Sequence, residues 1–217
     1  MRRQGLMAIP ALLLSAGLVL LGLWLGAQGA WIYVKARLAQ YLLQHAWSRT
    51  IHGEAHVTPW PWSDTWPVAR MSVPNYGVNL IILAGASGRT LAFGPGLVST
   101  SALPGQMGTM IMSAHRDTHF RFLEQLKPGD EILVEVPWQP PRTKFYRYHV
   151  TGIDVVDARR TRILSQRARS SLVLVTCYPF DAIVPGGPLR YVVSAEGKDA
   201  EELGGHSGKA FSLVGEP

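Results

Sequence analysis

The chain has 217 residues, of which 47% are hydrophobic and 17% charged, a globular composition sufficient for one ordinary domain plus an appendage. The formal net charge is +6, but the basic residues are scattered and form no Arg/Lys stripe with interleaved aromatics. Nucleic acid is therefore not an expected partner, and an anionic membrane surface accounts for the charge at least as well. A single cysteine, Cys177, excludes an internal disulfide and a zinc site built from several thiolates.

Between Arg3 and Lys35 there is no charged residue, and the stretch LMAIPALLLSAGLVLLGLWLGA is long enough to cross ~30 Å of hydrocarbon as a helix. Pro10 lies early in it, where a helix tolerates proline. Trp24, Trp31 and Tyr33 sit where an interfacial aromatic belt would be. A cleavable signal peptide is the competing reading, with Ala27 and Gly29 as small residues near a cleavage point. The apolar run exceeds the ~7–15 residues of such peptides, so residues 1–34 are expected to form an uncleaved, single-pass signal anchor. Arg2, Arg3 and the amino group weighed against Lys35 and Arg37 place the N-terminus in the cytoplasm and the rest of the chain outside it.

From Ile32 to about Ser48 apolar residues recur at three or four (Leu38, Tyr41, Leu42, Ala46), which predicts an amphipathic helix continuing from the membrane. HGEAHVTPWPWSDTWP then reads as an extended connector, because prolines and tryptophans crowd it. Residues 35–67 thus form a juxtamembrane helix and connector.

After Pro67 the texture changes. VARMSVP, GVNLIIL, TLAFGPG, TMIMSAH, EILVEVP, KFYRYHVTGIDVV, SLVLVTC and LRYVVSAE are short runs rich in β-branched and aromatic residues, punctuated by PNYG, ASGRT and KPGD. Eight runs so spaced predict a mainly β barrel or sandwich over residues 68–196. HFRFLEQL and TRILSQRARSS are the helical stretches expected within it. Residues 197–217 hold few large apolar side chains and read as a flexible tail. GGHSGKA within that tail resembles a phosphate loop, but its glycine spacing is one residue short and Ala210 replaces the magnesium-binding hydroxyl.

Three residues at predicted strand ends carry chemistry: His115 closing TMIMSAH, Cys177 closing SLVLVTC, and Arg190 opening LRYVVSAE. A strand end holds a side chain firmly while letting it reach a cleft. Cysteine, histidine and a cation form a kit for acyl transfer. Each also has a plainer reading: Cys177 as a small buried hydrophobe, His115 as a hydrogen-bonded core histidine, His119 as a surface one, and Arg190 as a solvated strand-edge charge. A metal site on HRDTH is disfavoured, since the preceding run reads as strand, the helical zinc motif's glutamate is missing, and no third ligand is evident.

LVLVTC resembles the TLxTC signature of the sortases, cysteine transpeptidases that anchor proteins at bacterial surfaces. SAHRDTHF looks like that family's histidine segment and GGPLRYVV like its arginine strand, while LAFGPG and SALPGQMG resemble the stretch before the histidine. Order and spacing agree over about residues 68–196, and HRDTHF together with TCYPF is most similar to the class GN sortases of proteobacteria.

The resemblance implies an eight-stranded sortase-type β-barrel with short helices behind an N-terminal transmembrane helix. It implies Cys177 as nucleophile, His115 as general acid/base and Arg190 as the clamp on substrate and transition state. Thr176 would help shape the substrate subsite, with Asp117 and His119 in support at most. Ala114 stands where glycine is frequent in related motifs. The implied partners are a protein with a C-terminal LPxTG-like sorting signal, an amine acceptor at the cell envelope, and membrane lipid. The implied location is the inner (cytoplasmic) membrane, with the catalytic domain facing the periplasm. No acidic cluster matches the calcium site of some sortases, so no metal and no cofactor is expected. A membrane-tethered cysteine peptidase and a non-catalytic β-barrel binding protein are the alternative functions. An L,D-transpeptidase is a further enzymatic alternative, but its usual Ser/His-Gly-Cys stretch is absent.

Overall fold

The computed structural model of the chain describes residues 5–197, apart from 105, 138–139, 162–169 and 185. The expected tail beyond 197 and nearly all of the expected TRILSQRARSS helix lie outside the described residues.

The apolar segment and the amphipathic segment form one helix, α1 (Gly5–Ile51). Its stretch Leu13–Ile51 is long and apolar enough to be a candidate membrane span. Leu14, Leu18, Leu21 and Trp24 are all exposed on it, an apolar surface of the kind that suits hydrocarbon rather than water. Near its middle, Lys35 lies over the Trp31 ring and Arg37 over the Tyr33 ring.

The chain divides into two compact units within α1, at Leu42/Leu43. The second unit therefore starts earlier than the expected barrel boundary at 68. Leu43 and Trp47, on the last turns of α1, are buried with Ile81 and Leu83 in a small apolar cluster outside the main core. The connector after the helix is irregular, as its prolines require; in it Trp60 packs edge-on against Phe93.

Eight strands follow: β1 (Pro67–Val73), β2 (Val78–Ala84), β3 (Gly96–Leu97), β4 (Gly108–Ser113), β5 (Glu131–Pro137), β6 (Thr143–Asp157), β7 (Ser170–Cys177) and β8 (Leu189–Gly197). They close into a barrel in the order β1-β2-β3-β4-β7-β8-β6-β5, with β5 pairing back onto β1. Alternation of side chains along each strand fills the interior with one parity, including Met71, Ile82, Met112, Leu172, Leu174 and Val193.

The third expected strand is mostly not a strand. Ser87 caps a short helix, α2 (Gly88–Leu91), accepting from the Thr90 N–H, and only two residues of β3 join the sheet. The chain turns back so tightly there that a Cβ on Gly96 would lie 2.2 Å from the Gly85 carbonyl oxygen, so glycine is required at that position. The expected HFRFLEQL helix is reduced to a 3₁₀ turn, Arg121–Gln125, which buries Phe122 and Leu123.

Candidate active site

Two parallel strands at the middle of the sheet, β4 and β7, run in register from Gly108↔Ser170 to Ser113↔Val175. The Ala114 N–H continues the contact by donating to the Val175 carbonyl (3.3 Å). His115 follows two residues after the end of β4, and Cys177 two residues after the last paired residue of β7, so both stand at the same end of this strand pair. On the other side of β7, the antiparallel ladder with β8 pairs Cys177 directly with Arg190.

Parity decides which way these side chains point. Met110, Met112 and Ala114 on β4, and Leu172, Leu174 and Thr176 on β7, are buried. Successive side chains alternate across a strand, so Cys177 faces the outer side of the barrel wall, and His115, one residue past Ala114, follows the same parity. Arg190, the direct partner of Cys177, shares its face. His115 is exposed, and Cys177 and Arg190 are half-buried. Cys177 and Arg190 thus lie side by side on one outer face at one end of the barrel, and His115 follows the neighbouring strand at that same end.

Thr176 points the other way. It is 2% exposed and its hydroxyl donates to the Ala114 carbonyl at 2.7 Å. The sequence reading set this residue at the substrate, but its side chain is directed into the barrel. There it ties the strand that ends in cysteine to the residue before the histidine.

His119 is half-buried in the turn after His115. Burial first, and then the charge of His115, hold its pKa below the ordinary histidine value, with Asp117 opposing them. Arg190 extends along its own loop, its Nη1 donating to the carbonyls of Gly187 (2.7 Å) and Leu189 (2.8 Å). Behind it, Tyr191 stacks on Tyr178 and meets Phe180 edge-on, with ring centroids 6.1 and 5.0 Å apart. Sequence reasoning passed over Arg116. Its Nη2 donates to the Ala182 carbonyl at 2.7 Å, joining the segment after His115 to the loop after Cys177. Adjacency to His115 in the sequence was the available signal, but the acceptor is a backbone carbonyl that no side-chain motif marks. Among the described residues no group of three or more His, Cys, Asp or Glu side chains is placed to hold a metal.

The family model of the sortase domain matches residues 71–198, which contain every strand from β2 to β8 and the end of β1. The chain belongs to the sortase family. It is 30% identical over 124 residues to sortase D of Bacillus subtilis, an alignment covering 57% of this chain and 60% of that protein. To sortase A of Bacillus anthracis it is 23% identical over 133 residues, covering 59% of each. The chain therefore spans about 60% of the length of these curated sortases.

Among solved structures, sortase A from Corynebacterium diphtheriae has the same fold, with a TM-score of 0.55 at 22% identity, covering 76% of this chain and 86% of that one. Sortase C-1 from Actinomyces oris superposes with a TM-score of 0.54 at 27% identity, covering 70% and 78% of the two chains. The closed eight-stranded barrel is thus the sortase barrel, and sortases are cysteine transpeptidases acting on proteins that carry sorting signals.

Proposed function

We propose that this chain is a membrane-anchored cysteine transpeptidase that cleaves an LPxTG-like C-terminal sorting signal and transfers the protein to an amine acceptor at the cell envelope. The observation that carries the reading is the pairing of Cys177 with Arg190 in a sortase barrel, at the end where His115 follows the adjoining strand β4.

In this mechanism the Cys177 Sγ attacks the carbonyl carbon of the signal's threonine. The tetrahedral intermediate collapses as the C–N bond to the next residue breaks, and His115 gives its proton to the departing amine. A thioester to Cys177 remains. An incoming amine, deprotonated by His115, attacks that thioester and restores the thiol. Arg190 offers positive charge to the substrate backbone and the developing oxyanion; with Nη1 occupied by its own loop, Nε and Nη2 are the donors directed to substrate. Thr176 acts from inside the barrel by fixing the spacing of β7 and the histidine segment. Water in place of the amine gives hydrolysis, the outcome of the peptidase alternative.

The α1 helix supplies the single-pass anchor, with the N-terminus in the cytoplasm and the barrel on the periplasmic side of the inner membrane. The resemblance of HRDTHF and TCYPF to class GN sortases supports a single dedicated large surface protein as the substrate. The genes beside this one are where its substrate is to be sought.

The test uses the full chain in detergent with an LPxTG-type peptide. Mass spectrometry should find the acyl fragment on Cys177, and added triglycine should convert hydrolysis product into transfer product. The variant Cys177→Ala should form neither while keeping its thermal midpoint within a few degrees. Absence of adduct from the wild type across a panel of sorting peptides would favour the non-catalytic binding protein.

A further inference from the structure

The loop from Tyr178 to Pro188, between β7 and β8, carries little apolar burial of its own. Its base is secure: the Tyr178 N–H donates to the Leu189 carbonyl (3.1 Å), and Phe180 is buried against Tyr191. Beyond Phe180 the described residues Asp181, Ile183, Val184, Gly186 and Gly187 are all exposed, Ile183 at 97%. A stretch of this kind is held by its polar contacts or not at all. Among the described residues, hydrogen bonds reach it from Arg116 at the Ala182 carbonyl, from Ala158 at the Pro188 carbonyl (2.9 Å), and from Arg190 at the carbonyls of Gly187 and Leu189.

Arg116 reaches from a fixed platform. The Ala114 N–H is bonded to β7 on one side of it. On the other, the Phe120 N–H donates to the His115 carbonyl (3.0 Å), and the Phe120 side chain is fully buried. Its bond to Ala182 is charge-assisted, and such bonds are stronger than neutral ones. The two carbonyls that accept from Arg190 aim its guanidinium only while they stay in place. Between Ala182 and those carbonyls lie Gly186, at φ +95°, and Gly187, residues about which a backbone turns readily. With the Ala182 end released, the Gly187 carbonyl is free to rotate and to take the Arg190 head group with it.

We propose that Arg116 is a positioning residue: by gripping the Ala182 carbonyl it holds the β7–β8 loop still, and through the Gly187 carbonyl it sets where Arg190 presents its charge to the substrate. The catalytic consequence rests on the sortase reading above; the grip itself does not.

The experiment compares wild type, Arg116→Met, Arg116→Lys, Arg190→Lys and the double variant Arg116→Met/Arg190→Lys, all as full chains in detergent. Hydrogen–deuterium exchange of the amides of residues 178–189 reads the grip. Arg116→Met should speed exchange there, at Tyr178 included, while β4 and β7 exchange as in wild type. Exchange indistinguishable from wild type overturns the proposal.

Turnover of an LPxTG-type peptide, normalised to titratable Cys177 thiol, reads the consequence. Arg116→Met should lose about tenfold or more in kcat/KM, as misplacing a positioning group does. Arg116→Lys should recover part of it, since one ammonium replaces a fixed fork. In the Arg190→Lys background the same Arg116→Met change should cost little, because the group through which it acts is already altered. Losses that multiply in the double variant show that Arg116 acts independently of Arg190 and overturn the proposal. Losses that track the folded fraction show a merely structural role and do the same. If wild type turns over no sorting peptide, it is the sortase reading that fails, and exchange alone decides the grip.

Discussion

The hydroxyl of Thr176 donates to the carbonyl of Ala114 at 2.7 Å, inside the barrel, 62 residues away in sequence. One residue on from each, Cys177 and His115 emerge on the outer face. The bond that ties together the residues preceding the candidate nucleophile and acid is therefore made inside the barrel.

Thr176→Val keeps the shape of the side chain and leaves the Ala114 carbonyl without its partner. An unsatisfied buried polar group costs about 1–3 kcal/mol, so the urea midpoint should fall accordingly. Turnover measured well below that midpoint should fall as well, while Thr176→Ser should restore most of both. Unchanged turnover in a destabilised Thr176→Val would confine the residue to folding.

The two histidines should separate. His115 is exposed just past the end of β4, at the end of the barrel where Cys177 closes β7, whereas His119 is half-buried in the following turn. General acid/base assistance is typically worth ~10²–10⁴-fold, so His115→Ala should lose at least that order in peptide turnover and His119→Ala much less. Thermal midpoints of both variants check that the losses are catalytic. A dead His119→Ala beside a near-normal His115→Ala would reassign the acid.

His119 should make stability depend on pH. Burial and the charge of His115 lower its pKa from 6.5 in the folded chain, so the unfolded chain binds the proton more readily. Stability is then fully present above about pH 6.5 and is lost as pH falls below it toward the lowered value. The thermal midpoint should drop between pH 7 and 5, and His119→Gln should show a shallower drop. Equal slopes in the two proteins would rule out this histidine as the source.

Trp47 should weigh heavily on the second unit although it stands twenty residues before the barrel begins. It is 2% exposed, packed with Leu43, Ile81 and Leu83, and Arg70 lies over its ring. Trp47→Ala should cost about 3–5 kcal/mol, as deletion of a large buried side chain does. Trp62, 83% exposed in the connector, provides the contrast: Trp62→Ala should stay within about 0.5 kcal/mol. Comparable urea midpoints for the two variants would detach the end of α1 from the domain.

The local signals in the sequence were sufficient for the apolar helix that forms a candidate membrane span and for most of the strands. An uncharged run of that length suits hydrocarbon, and alternating β-branched runs cut by Gly and Pro pair into sheet wherever they find partners. They also carried the identity of Cys177, His115 and Arg190 as candidates, since each closes or opens such a run. Where the local pattern misled, a tertiary demand had overruled it. TLAFGPG has strand composition, yet its start is taken up by α2, capped by Ser87, and only Gly96 of the run joins the sheet. The periodicity of residues 32–48 singled out Leu38, Tyr41, Leu42 and Ala46, yet Leu38 and Tyr41 are exposed, and it is Leu43 and Trp47 that pack on Ile81 and Leu83. The inward aim of Thr176 and the reach of Arg116 to Ala182 depend on register between strands far apart in sequence. Register is set by closure of the whole barrel, and a backbone carbonyl as acceptor leaves no mark on residue type. The sequence could therefore name the candidate reacting groups, while the closed sheet alone decided which neighbours lie against them.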